Sequence, residues 1–183
     1  MLRSAYLTLS HSELVRVAHP HFDEFEVATL ESVVLTVPTD QGPLIVDAVL
    51  TSRAFKPEVA IGSIMEGVTS AHSKIFLAFR DQSEKDSSLS PQLRLAASVR
   101  IDAQELARIK RQGVAYDLQE WSQAKAAIAA PVFDSSGHVN ASLAIIWPSE
   151  RLGVAQKGEF PTLVKEAAVK LSEELGYRTP PSE

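Results

Sequence analysis

Apolar positions in this chain switch between a helical and an extended period several times. Leu14, Val15, Ala18, Phe22 and Phe25 recur three to four residues apart, the spacing of one helix face. Ser12 stands where a cap is expected, with Glu13 in the first turn. Pro20 either kinks that helix or opens a second one. Segments 32–37 and 43–51 are rich in Val, Leu and Ile and flank Asp40-Gln41-Gly42, which predicts a hairpin. A further extended segment is expected from Phe55 to Ile61. Thr69 or Ser70 opens a helix through Phe79, with Ile75, Phe76 and Phe79 as its apolar face. The polar stretch from Asp81 to Ser90 predicts a mobile surface loop. Asp102 and Glu105 have the spacing of a capping box, and that helix runs through Gln112 to Gly113, a residue suited to a left-handed stop. A short strand leads to Asp117. Strands over 126–133 and 139–147 meet at Asp134-Ser135-Ser136-Gly137. The last helix starts near Pro161, carries Leu163, Ala167, Leu171 and Leu175 on one face, and stops at Gly176; Thr179 to Glu183 reads as a frayed tail.

Antiparallel strands flanked by helices give an α+β domain, and 183 residues suffice for one well-filled core. The formal net charge of −5 and the lack of a basic stripe argue against direct DNA binding. Arg108 to Arg111 close a helix, where cations suit the dipole. The chain has no cysteine, which excludes disulfides and thiolate metal sites and fits a reducing compartment. No apolar run approaches the ~20 residues of a membrane span, and the start lacks the form of a secretion signal. The cytoplasm is the expected location.

The second half carries a more specific pattern. Gly113-Val114-Ala115-Tyr116-Asp117, the run from Ile128 to Gly137 and the closing run from Ala167 to Arg178 resemble the C-terminal effector-binding domain of IclR-type bacterial transcription regulators. The first half is similar in a looser way. His19-Pro20 resembles the family's entry helix, and residues 62–79 resemble the family segment that holds a lysine, here Lys74. Glu66, Val68 and Ser73 depart there from the family's proline, histidine and glycine. The resemblance implies a GAF-like, profilin-like sheet of about six strands. It divides the chain into linker or entry helices (1–28), an effector-binding domain (29–178) and the tail (179–183). It also implies a homodimer or tetramer whose DNA contacts are made by an N-terminal winged helix-turn-helix, a domain not found within these residues.

Carried over from the family, the effector pocket is walled by Met65, Ser70, Ala71, His72, Asp117, Ala127, Ala144 and Ile146. The residues support this in part. Amides opening the Ser70 helix have no partner within it and sit at its positive end, so they can hold a carboxylate. Each polar member also has a plainer reading: Ser70 as a cap, Asp117 as a turn acceptor, His72 as a solvated or core group. Ala127, Ala144 and Ile146 stand where the family often has hydroxyl residues or cysteine. That predicts a more apolar effector than a two- or three-carbon oxoacid, such as an aromatic or longer-chain acid.

No nucleophile elbow, metalloprotease helix or phosphate loop is present, so no catalysis and no cofactor are expected. His19 and His21 are two apart and do not share a helix face, which argues against a metal site. Glu120 has no acidic neighbour in sequence. The second reading is an interaction or dimerisation module whose pocket is filled by side chains, with Ile146 and Trp147 bulky enough to fill it.

Overall fold

The computed structural model describes residues 2–51, 57–65, 69–80, 101–120, 122–151 and 158–178. Helix α1 (Leu2–Thr29) leads into strands β1 (Ser32–Thr39) and β2 (Gly42–Val49). Helices α2 (Ala71–Phe79) and α3 (Ala103–Gln112) precede strands β3 (Ala115–Leu118), β4 (Lys125–Phe133) and β5 (Val139–Pro148), and α4 (Phe160–Glu174) closes the order. All neighbouring strands are antiparallel, in the order β2-β1-β5-β4-β3.

The sheet has five strands among the described residues, one fewer than expected. The expected extra strand lies partly outside them, and residues 57–60 are not extended into a ladder. Instead, Ile64 makes a single bridge to Leu44. The Ile45 amide donates to Ser63 at 2.9 Å and the Met65 amide to Pro43 at 2.8 Å. This short segment therefore satisfies the outer edge of β2. The segments 81–90 and 179–183 lie outside the described residues.

Period-two alternation sorts the strand residues onto two buried faces. Val33, Leu35, Ile128, Ala130, Leu143, Ile145 and Trp147 pack with Leu14, Ala18 and Phe22 of α1 and Val164, Ala168 and Leu171 of α4. Val34, Ala127, Ala129, Ala144 and Ile146 face the other way, toward Ala71 and Ile75 of α2 and Ile109 of α3. Because both faces are covered, β4 and β5 read as nearly continuous apolar runs.

α1 is one helix beginning at Leu2, so Ser12 is not its cap, and Pro20 lies within it rather than starting another. Its second half belongs to the core. Asp102 caps α3 by accepting from the Gln104 amide at 3.1 Å, and Gly113 ends it with φ 69°. The reciprocal half of a capping box is not formed, since the Glu105 carboxylate turns to Lys74.

The end of α4 explains the run Leu171-Ser172-Glu173-Glu174-Leu175-Gly176-Tyr177. Gly176 has φ 88°, the Tyr177 amide donates to Ser172 O at 2.9 Å, and the Gly176 amide to Glu173 O at 3.0 Å. These are the two bonds of a Schellman stop. The turn stacks the Tyr177 ring on Phe133, with centroids 4.9 Å apart. Buried Ser172 donates to Ala168 O and accepts the Phe133 amide at 2.9 Å, which fastens α4 to the end of β4. Ser172→Ala removes that acceptor. We expect a loss of about 1–3 kcal/mol, read as a lower urea midpoint with unchanged denaturant slope. An unchanged midpoint would show that Phe133 finds another partner.

Candidate effector site at the start of helix α2

The sheet register builds the floor of the site. Asp117 lies opposite Ala127, and Ala127 opposite Ile146, so the three form one row across β3, β4 and β5. The next row is Ala115, Ala129, Ala144 and Val34. Its three alanines let α2 approach the sheet closely. One row further, Thr36 and Ser142 are direct partners on β1 and β5 and present two hydroxyls side by side.

α2 is anchored to that floor by polar groups. His72 is 1% exposed, and its Nδ1 lies 3.0 Å from both Thr36 Oγ1 and Ser142 Oγ. Its Nε2 is buried with no hydrogen-bond partner. Burial, opposed only by the Ser142 backbone, drives the imidazole pKa down to about 3, so the ring is neutral. Two residues on, Lys74 is 2% exposed and donates to Tyr116 O at 2.8 Å, to Glu105 at 3.1 Å and to Glu120. One helix is thus joined to the sheet centre through His72 and to β3, α3 and the β3–β4 turn through Lys74.

Ser70 is the N-cap of α2. It accepts from the Ser73 amide at 3.2 Å and donates to the Ser73 hydroxyl at 3.0 Å. Asp117 is buried and accepts from the Glu120 amide at 2.8 Å, holding a turn in which Gln119 has φ 72°. The plainer readings of Ser70 and Asp117 therefore hold as part of their roles. Glu120, without an acidic neighbour in sequence, is an ion-pair partner of Lys74.

Met65, Ser70, Ala71, His72, Asp117, Ala127 and Ile146 surround one cavity, joined by Lys125 and Ala126. Ala144 lies one row away in the core beneath α2. Glu66 and Val68 fall outside the described residues. The cavity is small, about 10 Å³, room for about one water molecule. The open hollow expected beside the sheet is therefore closed down in this structure. Trp147 does not close it. Its fully buried indole points to the opposite face, where it meets Phe160 edge-on at 5.5 Å. Thr36 and Ser142 were missed from sequence. Their signal was a hydroxyl inside each of two apolar strands, on the face that carries Val34 and Ala144.

The histidine pair of α1 diverges. His19 Nδ1 bonds Asp47 at 2.8 Å, and His21 Nε2 lies 3.0 Å from Glu174. No cluster of three metal-ligating side chains occurs among the described residues. No described helix is long and apolar enough to cross a membrane.

Comparison with known proteins bears on the whole arrangement. The family model described as "Bacterial transcriptional regulator IclR C-terminal" matches residues 6–173. The HTH-type transcriptional regulator KdgR of Dickeya chrysanthemi is 26% identical over 179 residues, covering 94% of this chain and 59% of that protein. The DNA-binding transcriptional repressor YiaJ of Escherichia coli (strain K12) is 26% identical, covering 92% and 63%. The chain thus spans about three-fifths of the length of these relatives. Among solved structures, Pseudomonas aeruginosa HmgR superposes with a TM-score of 0.79 at 19% identity, covering 97% of this chain and 74% of that one. The C-terminal domain of E. coli KdgR gives 0.68 at 23% identity, covering 90% and 99%. Those two likenesses show the fold; the matched family model shows the membership. The chain belongs to the IclR family of bacterial transcriptional regulators, and residues 6–173 are its C-terminal domain.

Proposed function

We propose that this domain senses a small organic acid at the start of α2 and binds it without converting it. One observation carries the reading. His72, whose buried Nε2 has no partner, lines a single cavity together with Ser70 and Ala71 at the start of α2 and Asp117. In this arrangement the acid's carboxylate meets the Ala71 and His72 amides. Its remaining atoms lie over Ala127 and Ile146, with His72 and Asp117 at the polar margin.

Wall chemistry and volume together define the guest. Met65, Ala71, Ala127 and Ile146 favour an apolar tail over an oxo group, because a polar atom there would lose roughly 1–3 kcal/mol for want of a partner. The small cavity favours a short aliphatic acid over the aromatic or longer-chain acid expected from sequence, since less displacement of α2 admits it. Entry of any acid still requires α2 to move from the β4–β5 floor. That motion supplies two arrangements with different affinity, the condition for a ligand to shift an equilibrium.

The relatives are named as helix-turn-helix and DNA-binding regulators. We infer that DNA is read by such a domain outside residues 1–183, that the assembly is a homodimer or tetramer, and that it works in the cytoplasm. A second reading, a dimerisation module with a filled pocket, is favoured by the 10 Å³ volume alone.

A thermal-shift panel separates the two. Propionate or butyrate should stabilise the domain saturably, by about 5–10 °C at a hundredfold excess over Kd, and more than glyoxylate, pyruvate or benzoate. Selective stabilisation by the oxoacids would refute the wall argument, and no saturable response to any acid would support the filled module. Ala127→Val should weaken the response at least tenfold with unchanged circular dichroism; equal responses would place binding elsewhere. With His72 neutral down to about pH 3, affinity measured calorimetrically should stay level between about pH 5.5 and 8. A change in affinity with a midpoint near 6.5 would contradict a neutral His72.

A further inference from the structure

A second concavity lies on the other side of the sheet's β3 edge. It is an open groove of about 570 Å³ between the end of α3, β3 and the start of α4. That volume falls within the roughly 300–1,000 Å³ of ligand sites. Arg108 and Arg111 stand three residues apart on α3, hence on one face, and Lys165 faces them from α4. A Cβ placed on Gly113 would meet the Lys165 stem at 3.7 Å, so this side chain reaches the end of α3. Tyr116 and Leu118 of β3 and Thr162 of α4 also line it.

The electrostatics of the groove are one-sided. The chain carries a formal charge of −5, yet three cations and no carboxylate line this surface. Glu105 approaches Arg108 at 3.6 Å, while Arg111 and Lys165 have no carboxylate within ion-pair distance among the described residues. The dipole of α3 accounts for cations in its own last turn. It does not account for Lys165, which lies in the second turn of α4, near that helix's positive end. Glu159 makes no side-chain cap there, and Pro161 offers no amide proton. Arg111 and Lys165 are exposed, so solvent screens their mutual repulsion, and all three cations remain available to an anion that enters the groove.

We propose that this groove is a second ligand site that takes a compact polyanion, a phosphate ester or a polycarboxylate. Its oxyanion groups sit among Arg108, Arg111 and Lys165, where guanidinium forks suit planar or tetrahedral oxyanions. Its carbon part lies over Tyr116 and Leu118. The site is separate from the cavity at α2 and stands whether or not that cavity binds an acid.

Calorimetry and thermal shift on the whole chain, at constant ionic strength, test it with pyrophosphate and citrate. At least one probe should bind saturably. Preference for pyrophosphate identifies phosphate esters, and preference for citrate identifies polycarboxylates. The double variant Arg111→Gln/Lys165→Gln alters two exposed side chains and should lose at least tenfold in affinity with unchanged circular dichroism. Ala127→Val should retain full affinity, which distinguishes this groove from the α2 site. Failure of both probes to saturate, or equal binding by parent and double variant, would overturn the proposal.

Discussion

Everything at the candidate site depends on how α2 is tied down. Nine residues of helix cannot define their own position, and packing on a row of alanines leaves freedom to slide. Two buried polar side chains limit that freedom. His72 sits on a pair of hydroxyls that sheet register places side by side, and Lys74 gathers a carbonyl and two carboxylates from three neighbouring segments. Such bonds are short and directional, unlike apolar contact. The open end of α2 is consequently aimed at the Asp117–Ala127–Ile146 row and nowhere else.

The same anchoring leaves the His72 imidazole, neutral under its burial, with one nitrogen satisfied and the other buried without a partner. A buried polar atom left bare costs about 1–3 kcal/mol, so the rest of the anchoring must outweigh that cost to hold α2 where it lies.

Much of this was legible from sequence where the pattern is local. The caps at Ser70 and Asp102, the stops at Gly113 and Gly176 and the turn at Asp134–Gly137 follow from residue type and spacing. The two faces of β4 and β5 were harder to read, because a strand buried on both sides loses its alternation; Trp147 was therefore suspected of filling the pocket although it belongs to the opposite core. Long-range pairings were out of reach. Nothing near Glu120 in sequence points to Lys74, 46 residues earlier, and nothing near Thr36 points to His72. Five strands occur among the described residues; the extended segment expected over 55–61 lies partly outside them, and a single bridge at Ile64, just beyond it, meets β2 instead. The size of the cavity depends on ångström-scale distances between helix and sheet, which no periodicity encodes.

The margins of the sheet carry one more consequence. In the first half of β2 the outer backbone groups of Pro43 and Ile45 are occupied by residues 62–65, and β3 is only four residues long with its Tyr116 carbonyl already claimed by an ammonium group. Among the described residues, the short β3 and the partly covered β2 leave little edge on which a second sheet could add, which discourages runaway ribbon-like aggregation.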